Sequence, residues 1–486
     1  MGRVWRRGWV ARVAALLCAA CSANGTHGDP RSSPDGGDVA SGSDGTRAEA
    51  GFVELGPRDV VIHGRPVSLA ATSRIFYNFR PADQDPKTKP ILILFNGFAS
   101  DTVRPFGTGP FTVERDGRVV PNSDSLTELA NLLYIDPRQS GFSYDLITDR
   151  APTSADCSQD VFNEYVDAAD VLLASLRFVE THDALTGPVY FMGESYAGVR
   201  ISWMLAYLRQ AWALAPYQDS TLQTAVASQT RARFLHGQIL LQPWLAGAAH
   251  TTAISDVCAT QSLLAAVQSN VGTTCPTDNA CACANSFGRS PYNYTFTTSE
   301  QNSRIFAADA AQVAPADAQA IYGVTLDSIP QLRASERARG FKCSVADDST
   351  PDESELVALL GALPPGQNYN LAYSPLQPGK GSSLPDWRQL TLIGAAFLDN
   401  LRTVDTFLTD GQRDLVVPES ALVPALKALA SGTTISETSA RVTVAFPSGV
   451  RSIDIGHYPA AGHMITMIEP HELKQDLQSW LTARPD

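Results

Sequence analysis

The chain has 486 residues, of which 44% are hydrophobic and 18% are charged, so it can bury a large apolar core. Its 37 basic and 50 acidic residues give a formal net charge of −13, and the sequence shows no stripe of basic residues. These values exclude a disordered chain and argue against a nucleic-acid partner.

The first 21 residues are typical of an export signal. Four arginines precede a short apolar run that is too short to span a bilayer as a stable helix. The run ends in LLCAAC, which resembles a bacterial lipobox with Cys21 as the lipidated residue. We therefore expect export, either as a cell-envelope lipoprotein or as a secreted protein. Membrane contact is expected only through that anchor.

Residues 22–50 are rich in Gly, Ser, Asp and Pro and predict a flexible tether. From residue 51 onward, strand and helix patterns alternate. Alternating and aromatic-rich segments within 59–82 predict an early antiparallel hairpin. Apolar runs predict buried strands, and spacing of about 3.6 residues predicts helices. The predicted strands are 89–97, 130–137, 187–193 and 236–244, and the predicted helices are 167–182 and 196–214.

Between about 250 and 385 this pattern weakens, and cysteines cluster there. We interpret this range as an inserted helical cap, and 51–250 together with 385–486 as the core. Sheet segments resume at 403–418 and 442–464, before a closing helix. Strands that alternate with helices predict βαβ units and a largely parallel sheet, so the fold class is α/β.

Six cysteines follow the export signal: Cys157, Cys258, Cys275, Cys281, Cys283 and Cys343. In an exported chain this even number predicts up to three disulfides, whose pairing the sequence leaves open. A zinc site is the alternative, but one residue between Cys281 and Cys283 is tighter than the usual zinc spacing. We therefore predict no metal site, and we find no cofactor motif.

The segment PVYFMGESYAGVR, residues 188–200, places Ser195 between a predicted strand and a predicted helix. A serine on such a bend projects its hydroxyl away from the sheet, at the N-terminus of the helix. The bend is crowded, and Gly193 and Ala197 are the small residues that it requires. A Gly-x-Ser-x-small pattern also arises by chance, so a nucleophile here needs a base and an acid downstream.

Three histidines lie far enough downstream to act as that base. His463 falls on a small-residue loop after a strand, whereas His457 falls within or at the end of a strand and His471 begins the last helix. Asp414 follows a strand end and is the candidate acid, with Asp410 as its competitor. Either aspartate could instead simply form a turn.

Six segments, in chain order, resemble conserved blocks of the serine carboxypeptidase family. They are RIFYNFRPADQDPKTKPILILFNG, GPFTVERDG, ELANLLYIDPRQSGFSYD, FMGESYAG, RDLVVP and AAGHMITMIEP. The resemblance covers about 51–250 and 385–486. It implies an α/β-hydrolase fold and a serine hydrolase that removes C-terminal residues from peptides through an acyl-enzyme.

The resemblance also implies a role for individual residues. Ser195 corresponds to the nucleophile and His463 to the base. RDLVVP favours Asp414 as the acid. The backbone N–H groups of Tyr196 and Phe98 correspond to the donors that stabilise the oxyanion. Phe98 replaces a glycine of the family at this place.

The substrate side departs from the family more strongly. Asn96, Gly97 and Glu194 correspond to the groups that bind the terminal carboxylate of a peptide. However, NGFASDTV (96–103) replaces the family's Asn-Gly-Gly-Pro-Gly-Cys-Ser-Ser. Gly107 stands where the family has a carboxylate that pairs with the Glu194 equivalent. Recognition of a free C-terminus is therefore expected to differ.

Two further hypotheses stand beside this one, the first prompted by these departures and the second from another class of protein. In the first, the same triad serves an esterase or acyltransferase, so the substrate is an acyl ester rather than a peptide. In the second, the chain is a non-catalytic binding lipoprotein on the same fold.

Overall fold

The computed structural model of the chain describes residues 45–95, 97, 107–113, 119–140, 143–158, 160–245, 340–343, 351–352, 391–411, 414, 417, 419–429, 434–438, 441–446, 449–463 and 465–484. The predicted export signal with Cys21, nearly all of the predicted tether, Asn96, Phe98 and most of the predicted cap lie outside these residues.

A sheet of 13 strands forms the scaffold of the described residues. Its central strands are parallel to one another. In spatial order they are β8 (Asn131–Ile135), β5 (Ile91–Phe95), β10 (Val189–Glu194), β12 (Gly237–Leu241), β15 (Asp405–Gly411) and β18 (Gly449–Tyr458). The first four are buried along their whole length, which explains why they appear in the sequence as continuous apolar runs.

Antiparallel strands extend the sheet at both ends. Beyond β8 lie β4 (Thr72–Arg80), β1 (Glu49–Leu55), β9 (Tyr144–Leu146), β13 (Gly340–Cys343) and β14 (Pro351–Asp352). Beyond β18 lie β17 (Arg441–Phe446) and β16 (Thr434–Thr438). β1 begins inside the range predicted as tether.

The early antiparallel hairpin predicted from the sequence is present, in a small separate sheet. It consists of β2 (Arg58–Ile62) and β3 (Arg65–Leu69), and it pairs with β11 (Tyr217–Gln218). A further two-stranded sheet contains β6 (Phe111–Val113) and β7 (Val119–Pro121).

Helices cover both faces of the large sheet. They are α1 (Glu164–Thr181), α2 (Ala197–Leu208), α3 (Ser220–Val226), α4 (Thr391–Asn400), α5 (Glu419–Leu429), α6 (Ile465–Ile468) and α7 (Pro470–Thr482). Side chains of β5 alternate between two cores: Phe95 packs with α1 and α2, and Leu94 packs in the core that contains Trp480 of α7. Within the described ranges, none of the helices has the length and apolarity that a bilayer crossing requires.

The range predicted as a cap contributes to the sheet itself. β13 falls within 250–385, yet it pairs with β9. A disulfide joins Cys343 of this strand to Cys157, and the Cys343 N–H donates to Gln139 Oε1 at 2.6 Å. One of the predicted disulfides is thus present, and the other four of the six cysteines after residue 21 lie outside the described residues. Residues 340–343 are therefore joined to the core both by strand pairing at the edge of β9 and by a disulfide.

Candidate active site

Ser195 lies on a sharp turn between β10 and α2. Its φ of +58° is in the left-handed region, which costs a non-glycine residue about 1–3 kcal/mol. The surrounding backbone holds it there: the Ser195 N–H donates to Leu241 O, and the N–H of Trp244 donates to Ser195 O, both at 2.9 Å. The strained serine is therefore tied to the end of β12, the neighbouring strand.

Small residues make this turn possible, as the sequence predicted. A Cβ on Gly193 would lie only 2.6 Å from the Cβ of Ala197 and 2.7 Å from Ile201 Cδ1. Gly198 allows a second close approach, to the backbone at Trp244, because a Cβ on Gly198 would lie 2.9 Å from the Trp244 carbonyl oxygen. Helix α2 can therefore approach the sheet closely enough for its N-terminus to lie next to Ser195.

Asp414 and His463 are in direct contact. His463 Nδ1 lies 2.8 Å from Asp414 Oδ2, and both residues are buried. Asp414 Oδ1 accepts a hydrogen bond from the Val417 N–H at 3.2 Å. An ionised carboxylate only accepts, so His463 carries its proton on Nδ1 and Nε2 is the basic nitrogen. This is the arrangement in which an imidazole can accept a proton from a serine.

Gln242, which directly follows β12, also contacts Asp414. Its Nε2 donates to Asp414 Oδ2 at 3.1 Å, the same oxygen that His463 contacts. The other end of the amide is held in turn: Gln242 Oε1 accepts from the Gly411 N–H at 2.9 Å and from Thr409 Oγ1 at 3.2 Å. Gln242 therefore links β12 and β15 and fixes the orientation of the Asp414 carboxylate.

The competing residues form a separate pair. Asp410 lies opposite His457 in the register of β15 with β18, and His457 Nδ1 lies 3.9 Å from Asp410 Oδ2. His471 contacts Asp124 at an exposed place. The structure thus brings His463 together with Asp414, and it directs Asp410 to another histidine.

Gly97 lies against the turn at Ser195. A Cβ built on Gly97 would be 3.0 Å from the Tyr196 nitrogen, 3.1 Å from Ser195 Cβ and 3.2 Å from Glu194 O. Gly97, two residues after β5, therefore lies against the backbone that carries Ser195. Of the two predicted oxyanion donors, the Tyr196 N–H is on this turn, whereas Phe98 lies outside the described residues.

The substrate side has a distinctive contact at Gly107. A Cβ there would lie 2.7 Å from Thr466 O and 3.0 Å from Thr466 Cβ. The backbone of α6, three residues after His463, thus occupies the space that a side chain at 107 would need. Glu194 is buried, and Asn96 lies outside the described residues.

Sequence reasoning assigned no role to two buried polar residues around this site, Gln242 and Arg200. One signal could have indicated Gln242: it is a polar residue directly after a buried strand, and ligand-facing groups of α/β folds gather at that end of parallel strands. Arg200 gives no such signal, because its ion pair with Asp167 and its hydrogen bond to Gly97 O join parts of the chain that are distant in sequence.

Comparison with known proteins confirms the resemblance seen in the sequence. Residues 47–278 match the family model described as serine carboxypeptidase, a range that contains Ser195 and ends before Asp414 and His463. A pheromone-processing carboxypeptidase KEX1 of Phytophthora infestans is 30% identical over 140 residues, which are 26% of this chain and 22% of that protein. The venom serine carboxypeptidase of Apis mellifera is 33% identical over 138 residues, 27% of each chain. The chain matches about a quarter of the length of these curated relatives.

A solved structure supports the fold. The crystal structure of Kex1(delta)p, a prohormone-processing carboxypeptidase from Saccharomyces cerevisiae, has a TM-score of 0.51 with 14% identity, covering 90% of this chain and 92% of that chain. At this identity the likeness concerns the fold alone. The α/β-hydrolase fold expected from the sequence is therefore confirmed.

Proposed function

Because residues 47–278 match the serine carboxypeptidase family, we propose that this chain is an exported serine hydrolase that cleaves C-terminal residues from peptides through an acyl-enzyme. One observation carries the proposal. A buried Asp414–His463 pair lies after β15 and β18, at the same sheet edge as a serine held at φ +58° after β10.

In the proposed reaction, Ser195 Oγ attacks the scissile carbonyl carbon while His463 Nε2 takes the hydroxyl proton. Asp414 holds the imidazole in the required tautomer and stabilises the imidazolium. The oxyanion faces backbone N–H groups at the turn, including that of Tyr196. His463 then gives its proton to the leaving amine, and the C–N bond breaks. Water then takes the place of the amine: His463 removes a proton from water as the water oxygen attacks the acyl carbon, and it returns that proton to Ser195 Oγ as the ester bond breaks.

Labelling of the full chain with a fluorophosphonate tests this proposal. We expect the label on Ser195, identified by peptide mass spectrometry, and no label on Ser195→Ala. The two His–Asp pairs provide matched controls. His463→Ala and Asp414→Asn should lower the labelling rate by orders of magnitude, whereas His457→Ala should not. Labelling at another residue, or equal loss in the His457 variant, would contradict the assignment. An unlabelled but folded chain would favour the binding lipoprotein.

A second candidate function is supported by the contact at Gly107. An acidic residue at this position would collide with the backbone at Thr466, so the chain lacks room for the carboxylate that the family resemblance implies. This favours an esterase or acyltransferase that does not select a free C-terminus. A blocked dipeptide, its C-terminal amide and a simple acyl ester distinguish the two. Preference for the free acid supports the carboxypeptidase, and equal rates on acid and amide support the alternative.

We further propose that the chain reaches the cell envelope through lipidation of Cys21, on the strength of the lipobox-like sequence. Cys21→Ser should abolish incorporation of a fatty-acid label and release the protein into the soluble fraction. An unlabelled native chain in that fraction would instead indicate plain secretion.

A further inference from the structure

The segment Leu241–Trp244, at the end of β12, contacts the backbone of Ser195 twice. The Ser195 N–H donates to Leu241 O, and the Trp244 N–H donates to Ser195 O, both at 2.9 Å. β10 and β12 are parallel neighbours, and Ser195 and Gln242 are the first residues after these two strands. The end of β12 therefore holds Ser195 by both its N–H and its C=O.

The same segment contacts the proposed acid through Gln242. Gln242 Nε2 donates to Asp414 Oδ2 at 3.1 Å. The Gln242 backbone N–H donates to Thr409 Oγ1 at 3.1 Å, and its side-chain oxygen accepts from the Gly411 N–H at 2.9 Å. Gln242 is thus attached to β15 by its backbone and by its side chain. One short stretch of chain is therefore bonded both to Ser195 and to Asp414.

The two residues that follow β10 and β12 share an unusual backbone conformation. φ is +58° at Ser195 and +45° at Gln242, in the left-handed region that is unfavourable for a residue with a Cβ. Such conformations persist only where the surrounding structure imposes them. At Gln242 the hydrogen bonds of the backbone and of the side chain impose it. The geometry of this segment is therefore held against an energetic cost.

Pro243 lies between the two sets of contacts and is buried. A proline ring holds φ at about −65°, so one rotation of the chain between Gln242 and Trp244 is fixed. Proline also has no N–H, so the donors on either side of it are the flanking amides. The Gln242 N–H bonds to Thr409 of β15, and the Trp244 N–H bonds to Ser195. Pro243 therefore fixes the direction of one contact relative to the other.

We propose that Pro243 is a positioning residue for the proposed triad. It makes residues 242–244 a rigid brace that sets the separation between Ser195 and Asp414. Because Asp414 Oδ2 lies 2.8 Å from His463 Nδ1, a displacement of the carboxylate also displaces the imidazole. Misplacement by about 1 Å can lower a rate by about 100-fold. This inference rests on the proposed role of Ser195 as nucleophile.

The test compares Pro243→Gly with Pro188→Gly in the full chain. Pro188 is also buried, and it directly precedes β10, at the end of that strand away from Ser195. Its carbonyl oxygen accepts from the Ile91 N–H at 2.8 Å, so it too belongs to the sheet. Both substitutions increase backbone freedom by the same change of residue. For each variant we measure kcat and KM on p-nitrophenyl butyrate, the fluorophosphonate labelling rate and the urea unfolding midpoint.

For Pro243→Gly we expect kcat and the labelling rate to fall roughly 10-fold, because Ser195 and Asp414 lose their alignment although both contacts remain possible. KM should change little, since no group that binds the ester is removed. Pro243→Ala, which allows less backbone freedom than glycine, should lie between the native chain and Pro243→Gly. If Pro243→Gly does not fold, the kcat of Pro243→Ala carries the test. Pro188→Gly should lower the unfolding midpoint without either kinetic change.

A double-mutant cycle with Gln242→Ala tests whether the brace acts on the acid. Once the side-chain contact with Asp414 is gone, Pro243→Gly should lower kcat by a smaller factor than it does in the native background, because residues that act through one contact are not additive. The same factor in both backgrounds would mean that Pro243 acts independently of Gln242, and it would overturn the brace.

Two other outcomes would also overturn the inference. One is a Pro243→Gly protein that is destabilised but retains native kcat and labelling rate, as expected for Pro188→Gly. The other is a loss that appears in KM alone. The proposed function is judged separately: if the native chain is not labelled at Ser195 by a fluorophosphonate, that function fails. If it is labelled and Pro243→Gly has native kinetics, only the positioning role fails.

Discussion

Replacing Gln242 by glutamate tests whether the residue after β12 holds Asp414 in its working orientation. Gln242 Nε2 lies 3.1 Å from Asp414 Oδ2 and the side chain is buried, so Gln242→Glu replaces a donor by a second carboxylate of the same size. At that separation two negative charges repel by about 5 kcal/mol at an effective dielectric constant of about 20. The two carboxylates therefore share one proton at neutral pH, and their titrations are coupled.

The assay is the pH dependence of kcat/KM on an acyl ester. At acidic pH the protonated side chain donates to Asp414 as the native amide does, and activity should be near native. As the pH rises and the shared proton is lost, kcat/KM should fall at least roughly tenfold, since a hydrogen bond to a charged group contributes about 1.5–3 kcal/mol. The native chain should not show this fall in kcat/KM at high pH, the descending limb of the pH profile.

Gln238→Glu provides the matched control. Gln238 lies on the same strand, is 0% exposed and donates to Thr406 Oγ1 at 2.9 Å. It is four residues before Gln242, or roughly 13 Å along the strand. This variant should lose stability at high pH but keep the native profile of kcat/KM per folded molecule. A native profile in Gln242→Glu, or the same descending limb in Gln238→Glu, would refute the reasoning.

Three further predictions concern stability. Burial raises the pKa of the Glu164 carboxyl in the folded state, because ionisation is unfavourable there. The free energy of unfolding therefore falls as the pH rises from the pKa of this carboxyl in the unfolded chain to its higher pKa in the folded chain. Glu164→Gln should therefore raise the free energy of unfolding at pH 7 but not below about pH 4, whereas the exposed Glu180→Gln should change little. Cys157→Ala removes a disulfide that spans 186 residues, so the free energy of unfolding, measured with urea, should fall by up to about 5 kcal/mol. An unchanged free energy of unfolding would mean that the cross-link does not constrain the unfolded chain. Gly193→Ala places a Cβ within 2.7 Å of two side-chain carbons, so it should lower stability by about 1–3 kcal/mol and slow fluorophosphonate labelling. Gly56→Ala, with nothing within 4 Å, should do neither, and equal effects of the two would contradict the crowding argument.

The turn at Ser195 could be predicted from sequence because its determinants are local. An apolar run, two small residues and a helical repeat all lie within about a dozen residues of Ser195. The central strands were predictable for a similar reason, since burial on both faces requires a continuous apolar run. β13 was not predictable in this way. Its pairing with β9 and the Cys157–Cys343 link join segments nearly two hundred residues apart.

The choice of acid and base required the tertiary structure. Asp410 and Asp414 are four residues apart, and both fit a strand end in the sequence. The register of β15 with β18 places Asp410 opposite His457, so Asp414, one turn beyond the strand, meets His463 instead. The sequence by itself determined the central strands and the turn at Ser195, through residue types and local spacing. Only the packing of strands and helices decided which side chains meet, because those contacts depend on register and on distances across the sheet.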